Sequence, residues 1–378
     1  MNFLHQHTGQ NLILVILLVF LITLIIQLYF ILNIHRKLAF FKSEKITENI
    51  STPISVIIAA RNESDNLLKN LPKILEQKHK EFEVIVVNHQ SIDNTKEILE
   101  AFSKRYKNLK IVELENDKHL PPGKKLPLTI GIKAAKYEHL IFTDADCAPN
   151  SDHWIKNIAA KFNGDKAIIL GYGPMLKKAG TFNKLMRFDT AWIALNYMSM
   201  ALNNSPYMGV GRNLAYTKDA FFAVNGFKSH YSISSGDDDL FIQEAVKKNK
   251  YTIEIAPETF MYSPSKENIK DWIKQKSRHY TTAPKYPFIK KLLLAIYPVS
   301  LILTWICFVS LIRLSYHELY LTTSMVVLYV LKWWIGARCL IKLEEKKLAL
   351  FFPFWDLFYA AFIPILFVIA KNKKNAAW

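Results

Sequence analysis

The stretch PISVIIAARNE, residues 53–63, decides the fold. Its apolar and β-branched first part predicts a buried strand, and polar residues follow that strand directly. The pattern recurs, with strands predicted at 82–87, at 110–114 and up to Asp144, and with apolar residues at helical spacing between them. Strands that alternate with helices indicate a parallel sheet with crossover helices. We therefore expect the polar strand ends to meet at one edge of the sheet.

The strand that ends at Asp144 carries a second carboxylate, Asp146, just beyond it. Open α/β sheets bind ligands beyond the carboxyl ends of their strands. Carboxylate oxygens at such an edge can hold a divalent cation together with a phosphate group. Aspartates are also common turn residues, so this pair alone is a weak signal for a metal site. Whether the pair indicates a metal site therefore depends on motifs elsewhere in the chain.

The composition indicates a membrane protein with one large polar domain. Of its 378 residues, 51% are hydrophobic, and 49 basic residues outnumber 32 acidic ones. An apolar run at 11–33 is long enough to cross the roughly 30 Å hydrocarbon core as a helix. A signal peptide is disfavoured, because residues 1–10 contain no Lys or Arg. About three more membrane helices are predicted in 291–371, and the region 53–288 is predicted to be one α/β domain that ends in an interfacial helix.

The charges around the first helix predict the orientation of the chain. Four basic residues follow it: Arg36, Lys37, Lys42 and Lys45. The positive-inside rule then places the polar domain in the cytosol, but it would leave the basic tail at 371–374 outside. Two alternatives remain open. Either the last segment is re-entrant or broken near Pro353 or Pro364, or the segment that contains Lys332 lies in the membrane interface.

The basic excess does not predict a nucleic-acid partner. Lysines and arginines are spread through the chain and concentrated beside the membrane segments, and the sequence has no nucleic-acid recognition motif or Arg-rich arm. Basic residues beside membrane helices are typical of attraction to anionic lipid headgroups. We therefore expect membrane lipids, and no nucleic acid, as partners.

Three consecutive carboxylates, Asp237, Asp238 and Asp239, follow the turn at 234–236 and precede a helical run that starts at Leu240. Acidic residues at the start of a helix can cap it and complement its dipole. A carboxylate in this position could instead take a proton from a hydroxyl group during catalysis. The residues alone leave both interpretations open.

The order of six motifs resembles that of the family 2 glycosyltransferases with a GT-A fold. In particular the chain resembles membrane-anchored members such as the ceramide glucosyltransferases and the hyaluronan and cellulose synthases, over about residues 53–280. The motifs are VIIAARNE at 56–63, Ser91-x-Asp93-x-Thr95, Gly123-Lys124, Asp144-Ala145-Asp146, SGDDDL at 235–240 and Gln275-x-x-Arg278. The resemblance implies an α/β fold of the GT-A type, Rossmann-like with a mostly parallel mixed sheet, flanked by transmembrane helices.

The resemblance also implies the site residues. It assigns Asp144 and Asp146 to a Mg²⁺ or Mn²⁺ ion and one residue of the acidic triplet to the catalytic base. Alignment on Gly-Asp-Asp makes Asp238 the base and alignment on Glu-Asp-x-Asp-Leu makes it Asp237; we favour Asp238. The residues expected to bind the nucleotide-sugar are Ala60, Arg61, Glu63, His89, Asp93, Lys124, Asp144, Asn213, Gln275 and Arg278.

Two departures from the family pattern affect the expected substrate. His279 stands where the family's Gln-x-x-Arg-Trp motif has Trp, which weakens a claim of processive polymer synthesis. Asn88 and His89 replace the Asp-Asp pair that commonly receives the base, so a uracil donor is favoured but not assured. The function expected is a membrane-bound inverting transfer of one sugar from a nucleotide-diphospho-sugar, favoured to be a UDP-sugar, to a lipid-linked or other membrane-proximal glycan acceptor. The alternatives are a processive polysaccharide synthase and a non-catalytic membrane scaffold.

Overall fold

The computed structural model describes residues 2–43, 52–114, 123–162 and 164–371, with side chains from residue 10 to 370 within these ranges. Lys45 and residues 372–374 of the basic tail lie outside this description. The described chain forms two compact units. We call them the helical unit, which comprises the residues up to Phe41 and Tyr286–Ile369, and the α/β unit, which comprises Lys42–Lys285.

The helices and strands follow one another in an order that matches the predicted alternation. The α-helices in the described ranges are α1 Asn2–Tyr29, α2 Arg36–Phe40, α3 Ser64–Leu75, α4 Thr95–Arg105, α5 Lys125–Ala134, α6 Trp154–Ala159, α7 Thr181–Leu202, α8 Lys218–Phe222, α9 Asp239–Ala245, α10 Ile269–Tyr280, α11 Phe288–Arg313, α12 Glu318–Lys342, α13 Lys346–Ala349 and α14 Phe352–Lys371, and a π-helical segment, Phe30–His35, joins α1 to α2. The strands there are β1 Ile54–Ala60, β2 Phe82–His89, β3 Leu109–Leu114, β4 His139–Asp144, β5 Ala148–Pro149, β6 Lys166–Leu170, β7 Leu214–Thr217, β8 Lys250–Ile253 and β9 Met261–Tyr262.

The α/β unit is built on a mixed sheet, which among the described residues has seven strands in the order β3-β2-β1-β4-β7-β6-β8. Strand β1 runs parallel to β2 and β4, and β2 runs parallel to β3. Strand β7 is antiparallel to both β4 and β6. The predicted α/β fold with a mostly parallel mixed sheet is therefore confirmed.

The inner strands of the parallel half, β2, β1 and β4, are mostly buried on both faces, as their continuous apolar runs predict. Every residue of β1 is buried. Helix α3 covers one face with an apolar stripe that includes Leu67, Leu71 and Ile74. On α5, a Cβ atom at Gly131 would lie 2.7 Å from the Ile57 side chain, so glycine lets this helix approach the sheet closely.

The helical unit contains helices that are long and apolar enough to cross a membrane. Four such segments occur in the described residues: Gln10–Phe40, Phe288–Arg313, Glu318–Lys342 and Phe352–Ala370. In the described part of the chain neither Pro353 nor Pro364 interrupts α14, since Pro353 stands at its start and Pro364 lies within continuous helix. Pro353 is tolerated there because the first helical N–H groups have no partner within a helix.

A buried polar network joins four helices of this unit. The Lys332 ammonium on α12 lies 2.6 Å from Asp356 Oδ2 on α14 and donates to Gln27 Oε1 on α1 at 2.9 Å. The Tyr297 hydroxyl on α11 donates to the same Asp356 oxygen at 2.8 Å. Both charged side chains are at most 1% exposed. A charge pair with these hydrogen bonds allows the apolar helix α12 to carry a buried lysine, where an unpaired ion would be costly.

We expect this pair to be coupled in stability. Asp356→Asn or Lys332→Met alone leaves an uncompensated buried charge, a cost of about 3–5 kcal/mol. The double variant Lys332→Met/Asp356→Leu removes both charges. Its loss in free energy of unfolding should be smaller than the sum of the losses of the two single variants. Thermal unfolding of purified protein in detergent measures this, with exposed Lys346→Met as the control. Strictly additive losses would contradict the coupling.

Candidate active site

The site lies at the carboxyl edge of the parallel strands. Ala60, His89 and Asp144 are the last residues of β1, β2 and β4. In the sheet register Ala59 is opposite Asp144, and Ala60 is opposite Asn88. The strand ends therefore meet at one edge, as expected from the alternating pattern.

Asp144 and Asp146 lie together with Cys147, and one ligand atom from each lies within 4.8 Å of the others. The thiol of Cys147 donates to Asp146 Oδ1 at 3.2 Å. Burial raises the pKa of this thiol well above its ordinary value, and the two carboxylates raise it further. The thiol thus orients the Asp146 carboxylate through this hydrogen bond.

This donor set fits a hard divalent cation. Mg²⁺ and Mn²⁺ prefer carboxylate oxygens to sulfur, and the two aspartates supply such oxygens at a strand end. Lys124 Nζ lies 2.6 Å from Asp144 Oδ1, so a positive charge already occupies this side of the carboxylate. Glu63 adds a third carboxylate close by: burial raises its pKa, and the charges of Asp146 and Asp144 contribute in the same direction.

Three cations surround the Asp144 carboxylate. Burial alone would raise the pKa of Asp144, but the charges of Lys124, Arg212 and Arg278 outweigh burial and hold the pKa below its ordinary value. Burial likewise opposes the charge on Lys124, and Asp144 and Asp237 outweigh it, so the Lys124 pKa is raised. Both groups are therefore ionised near neutral pH, and the cations form a region suited to a diphosphate.

The acidic triplet contributes three carboxylates in different settings. Asp237 lines a cleft at the sheet edge together with Lys124 and Asp144; the other lining residues are Ala59, Leu128, Phe142, Thr143, Gly211, Leu214 and Tyr216. Asp239 is 7% exposed and accepts a hydrogen bond from the Thr282 hydroxyl at 2.6 Å. Asp238 lies between them and precedes the first turn of α9.

Asp238 is the carboxylate whose pKa fits a general base. Its Oδ2 accepts from the Gly211 N–H at 3.0 Å, and its Oδ1 accepts from the Asp239 N–H at 2.8 Å. Burial raises the pKa of Asp238 to about 7, with the charges of Asp237 and Asp239 adding to it, although the two N–H bonds act in the opposite direction. A carboxyl group that titrates near neutral pH can accept a proton during turnover.

Helix α10 carries Gln275 and Arg278 one turn apart. A buried ion pair fixes this helix, because Lys276 Nζ lies 2.5 Å from Asp189 Oδ2 on α7 and both side chains are at most 6% exposed. Thr282, just after the helix, bonds to Asp239 as described above. The Arg278 cation is near enough to lower the pKa of Asp144. The structure thus brings Arg278 to the acidic site, while His279 beside it is exposed.

The loops after β1 and β2 hold each other through side-chain hydrogen bonds. Asp93 accepts from the Ser64 N–H, at the start of α3, and from Thr95 at the start of α4. Partial burial raises the pKa of Asp93, but these hydrogen bonds outweigh it and hold the pKa below its ordinary value. Burial lowers the pKa of His89, and the charge of Arg61 lowers it further, so the imidazole is neutral at pH 7.

Asn213 lies in a short 3-10 turn, Gly211–Asn213, before β7. It is 1% exposed, and its amide makes three hydrogen bonds within the protein. Trp154 Nε1 donates to its oxygen at 3.1 Å, and its nitrogen donates to the Tyr172 and Thr259 carbonyls at 2.7 and 2.8 Å. The side chain therefore supports the backbone that offers the Gly211 N–H to Asp238. Its contact with the donor sugar stays a prediction.

Three residues at the site were not singled out from the sequence. Arg212 stands directly before Asn213, which the resemblance assigns to the nucleotide-sugar, so its charge at that position was an available signal. Lys125 is the second lysine of a pair at the start of α5. Thr282 gave no signal, because an isolated threonine after a helix is common. In the structure the charge of Arg212 lowers the pKa of Asp144, Thr282 donates to Asp239, and Lys125 donates to the loop before the triplet.

Comparison with models of protein families assigns the chain to a family. The model described as Glycosyl transferase family 2 matches residues 55–223, and the model described as Glycosyl transferase family group 2 matches residues 140–365. The second match alone spans more than half of the chain. The chain belongs to the family 2 glycosyltransferases, and the resemblance identified from its motifs is confirmed.

Two characterised relatives have similar sequences over part of their length. The poly-β-1,6-N-acetyl-D-glucosamine synthase of Staphylococcus epidermidis is 37% identical over 99 residues, which are 26% of this chain and 23% of that protein. The glycosyltransferase AglE of Haloferax volcanii is 32% identical over 186 residues, which are 49% of this chain and 58% of that protein. The chain thus matches less than two thirds of either relative.

A solved structure has a similar fold. The mannosyltransferase PcManGT from Pyrobaculum calidifontis, in complex with GDP-Man and Mn²⁺, aligns with a TM-score of 0.55 and covers 89% of this chain and 98% of that chain. The sequence identity is 15%, so this likeness shows the fold alone.

The hydrogen bonds of Asn213 lead to a stability prediction. Asn213→Ala leaves the buried Trp154 N–H and two carbonyls without their partner, at a cost of at least about 2 kcal/mol. We expect a clear drop in the thermal unfolding midpoint, while the exposed Asn94→Ala serves as the control. An unchanged midpoint for Asn213→Ala would argue that its amide is free to serve a ligand.

Proposed function

We propose that this chain is a membrane-bound inverting glycosyltransferase that moves one sugar from a nucleotide-diphospho-sugar to a lipid-linked or membrane-proximal acceptor. The observation that carries the proposal is the meeting, at one strand edge, of a carboxylate pair suited to a divalent ion, three cations and a carboxyl group with a pKa of about 7. Family membership supports the reaction class. A mere scaffold would not need this arrangement.

The donor diphosphate is proposed to bind between Lys124, Arg278 and the aspartates. Asp144 and Asp146 would hold Mg²⁺ or Mn²⁺, which supplies the counter-charge for the leaving diphosphate. Ala60, Arg61, Glu63, His89 and Asp93 belong to the loops proposed to hold the nucleotide. A neutral His89 can accept a hydrogen bond from a base N–H such as that of uracil, the base that the family resemblance favours. Gln275 would reach the site from the same helix as Arg278.

Asp238 is proposed as the base for the acceptor hydroxyl. As the hydroxyl oxygen forms its bond to the anomeric carbon, the bond between that carbon and the diphosphate oxygen breaks. The hydroxyl proton passes to Asp238, and the nucleoside diphosphate leaves with the electron pair. A single displacement of this kind inverts the anomeric configuration and needs one carboxylate on the acceptor side. Asp237 is the alternative base, and Asp239 is the most buried of the three.

The acceptor and the cellular location are inferred from the membrane segments. We propose that the helical unit is the membrane region, that the α/β unit is the catalytic domain and that it faces the cytosol, where the basic residues after α1 would lie. A processive polysaccharide synthase is the second candidate, since the Staphylococcus relative is named as one. The exposed His279 in place of Trp favours a single transfer.

The first test of function is donor turnover. We expect purified protein with Mn²⁺ and a lipid extract to release nucleoside diphosphate from one of a panel of nucleotide-sugars, and chelation of the metal to stop release. Asp238→Asn should lower kcat by about 10²–10⁴-fold. The exposed Asp165→Asn, which removes a surface pair, should keep full activity. Folded protein inactive with every donor would refute the proposal, and a high-mass polymer would establish the second candidate.

The pH profile distinguishes Asp238 from Asp237. A base must be deprotonated, so kcat/KM should fall as the pH drops below about 7, where Asp238 gains a proton. If Asp238 is the base, Asp237→Asn removes a neighbouring negative charge, lowers the Asp238 pKa and moves the midpoint to lower pH with activity retained. Loss of activity in Asp237→Asn at every pH would instead make Asp237 the base.

A further inference from the structure

The side chain of Lys125 makes an unusual set of contacts beside the acidic triplet. It is 4% exposed, and its ammonium donates to three backbone carbonyls: His230 at 2.6 Å, Ile233 at 2.6 Å and Ser235 at 2.7 Å. An ammonium has three N–H bonds, so one lysine uses its full donor capacity on one short loop. That loop, residues 230–235, directly precedes Gly236 and the three aspartates.

The backbone around this contact leaves little freedom for the loop. Gly236 has a φ of +100°, and a Cβ atom there would lie 2.8 Å from the Leu240 side chain. Gly123, with a φ of +132°, faces the same loop, since a Cβ atom there would lie 3.5 Å from the Ser234 oxygen. The loop is therefore held against the start of α5, and the ammonium of Lys125 supplies its hydrogen bonds.

The charges at Lys125 face the triplet. Burial lowers the pKa of Lys125 to about 8, and Asp237, Asp239 and Asp238 act in the opposite direction. His230, on the loop itself, has a pKa lowered by burial and by Lys125, so it carries no charge at pH 7. Near neutral pH the lysine is thus a buried cation opposite three carboxylates, and it favours their ionised forms.

We infer that Lys125 is a positioning residue that fixes the loop at 230–235 and thereby sets the position and the charge of the Asp238 carboxylate. Two neighbouring lysines at the start of α5 then have different roles. Lys124 pairs with the Asp144 carboxylate on the donor side, and Lys125 binds the loop that leads to the proposed base. The expected effect of Lys125 on kcat and on the pH midpoint rests on the proposed function. Its fixing of the loop at 230–235 does not.

The test compares Lys125→Met, which keeps the length but removes the charge and donors, with Lys125→Arg, which keeps both. The exposed Lys133→Met on the same helix is the matched control. We expect Lys125→Met to lower kcat at least about tenfold, as loss of charged hydrogen bonds implies, with the donor KM within about twofold. The pH midpoint of kcat/KM should rise, since removal of a cation raises the Asp238 pKa. Lys125→Arg should have values of kcat and of the pH midpoint that lie between those of Lys125→Met and the wild type.

Hydrogen exchange gives a readout that needs no substrate. Lys125→Met should lose amide protection within residues 228–240, and Lys133→Met should not. Unchanged exchange in 228–240 would overturn the inference whatever reaction the protein catalyses. Altered exchange with an unchanged kcat and an unchanged pH midpoint would overturn the positioning role. If Lys125→Met does not fold, Lys125→Gln, which removes the charge but keeps an amide donor, takes its place: lost amide protection in 228–240 together with a raised pH midpoint supports the inference, and a wild-type value of either readout contradicts it.

Discussion

The hydrogen-bonded register of β1 between β2 and β4 is the constraint on which the candidate site depends. Because Ala59 is opposite Asp144 and Ala60 is opposite Asn88, the three strands end at one level. Every polar group that follows them is then delivered to the same edge. A shift of one residue would move each β1 side chain to the opposite face of the sheet, and because both faces of β1 are packed, such a shift would be costly. The site is therefore fixed by the core.

Arg278 and the acidic triplet come from later parts of the chain, and contacts between distant segments hold them near this edge. The Lys276–Asp189 pair holds α10 against α7, and the Thr282 hydroxyl binds Asp239 at the start of α9. A buried charge pair gains little net stability, but removing one partner is costly, so it favours one arrangement of the two helices. These contacts fix the position of Arg278 relative to the acidic triplet. They explain how α10, which comes late in the chain, contributes to a site at the edge formed by the first strands.

The sequence was sufficient for the parts of the structure that are encoded locally. The long apolar runs of β1, β2 and β4 and the polar residues after them predicted the parallel half of the sheet. Strands β7 and β8 have four residues each and pair with distant partners, so their position was not predictable from pattern. The carbonyl contacts of Lys125 and the pairing of Lys332 with Asp356 also gave no signal. The first involves backbone atoms, which every residue has, and the second depends on how separate helices pack.

The reactivity of the triplet follows from a balance of opposing effects on Asp238. Two backbone N–H groups, from Gly211 and Asp239, stabilise its carboxylate, and the cation of Lys125 acts in the same direction. Burial and the charges of Asp237 and Asp239 act against them and prevail, which brings the pKa to about 7. A base is most effective when its pKa is close to the working pH, since a weaker base transfers too little charge and a stronger one is already protonated. The charges of the neighbouring aspartates thus help to set the pKa of Asp238 without any contact with a substrate, which is what the proposed role of Asp238 as the base requires.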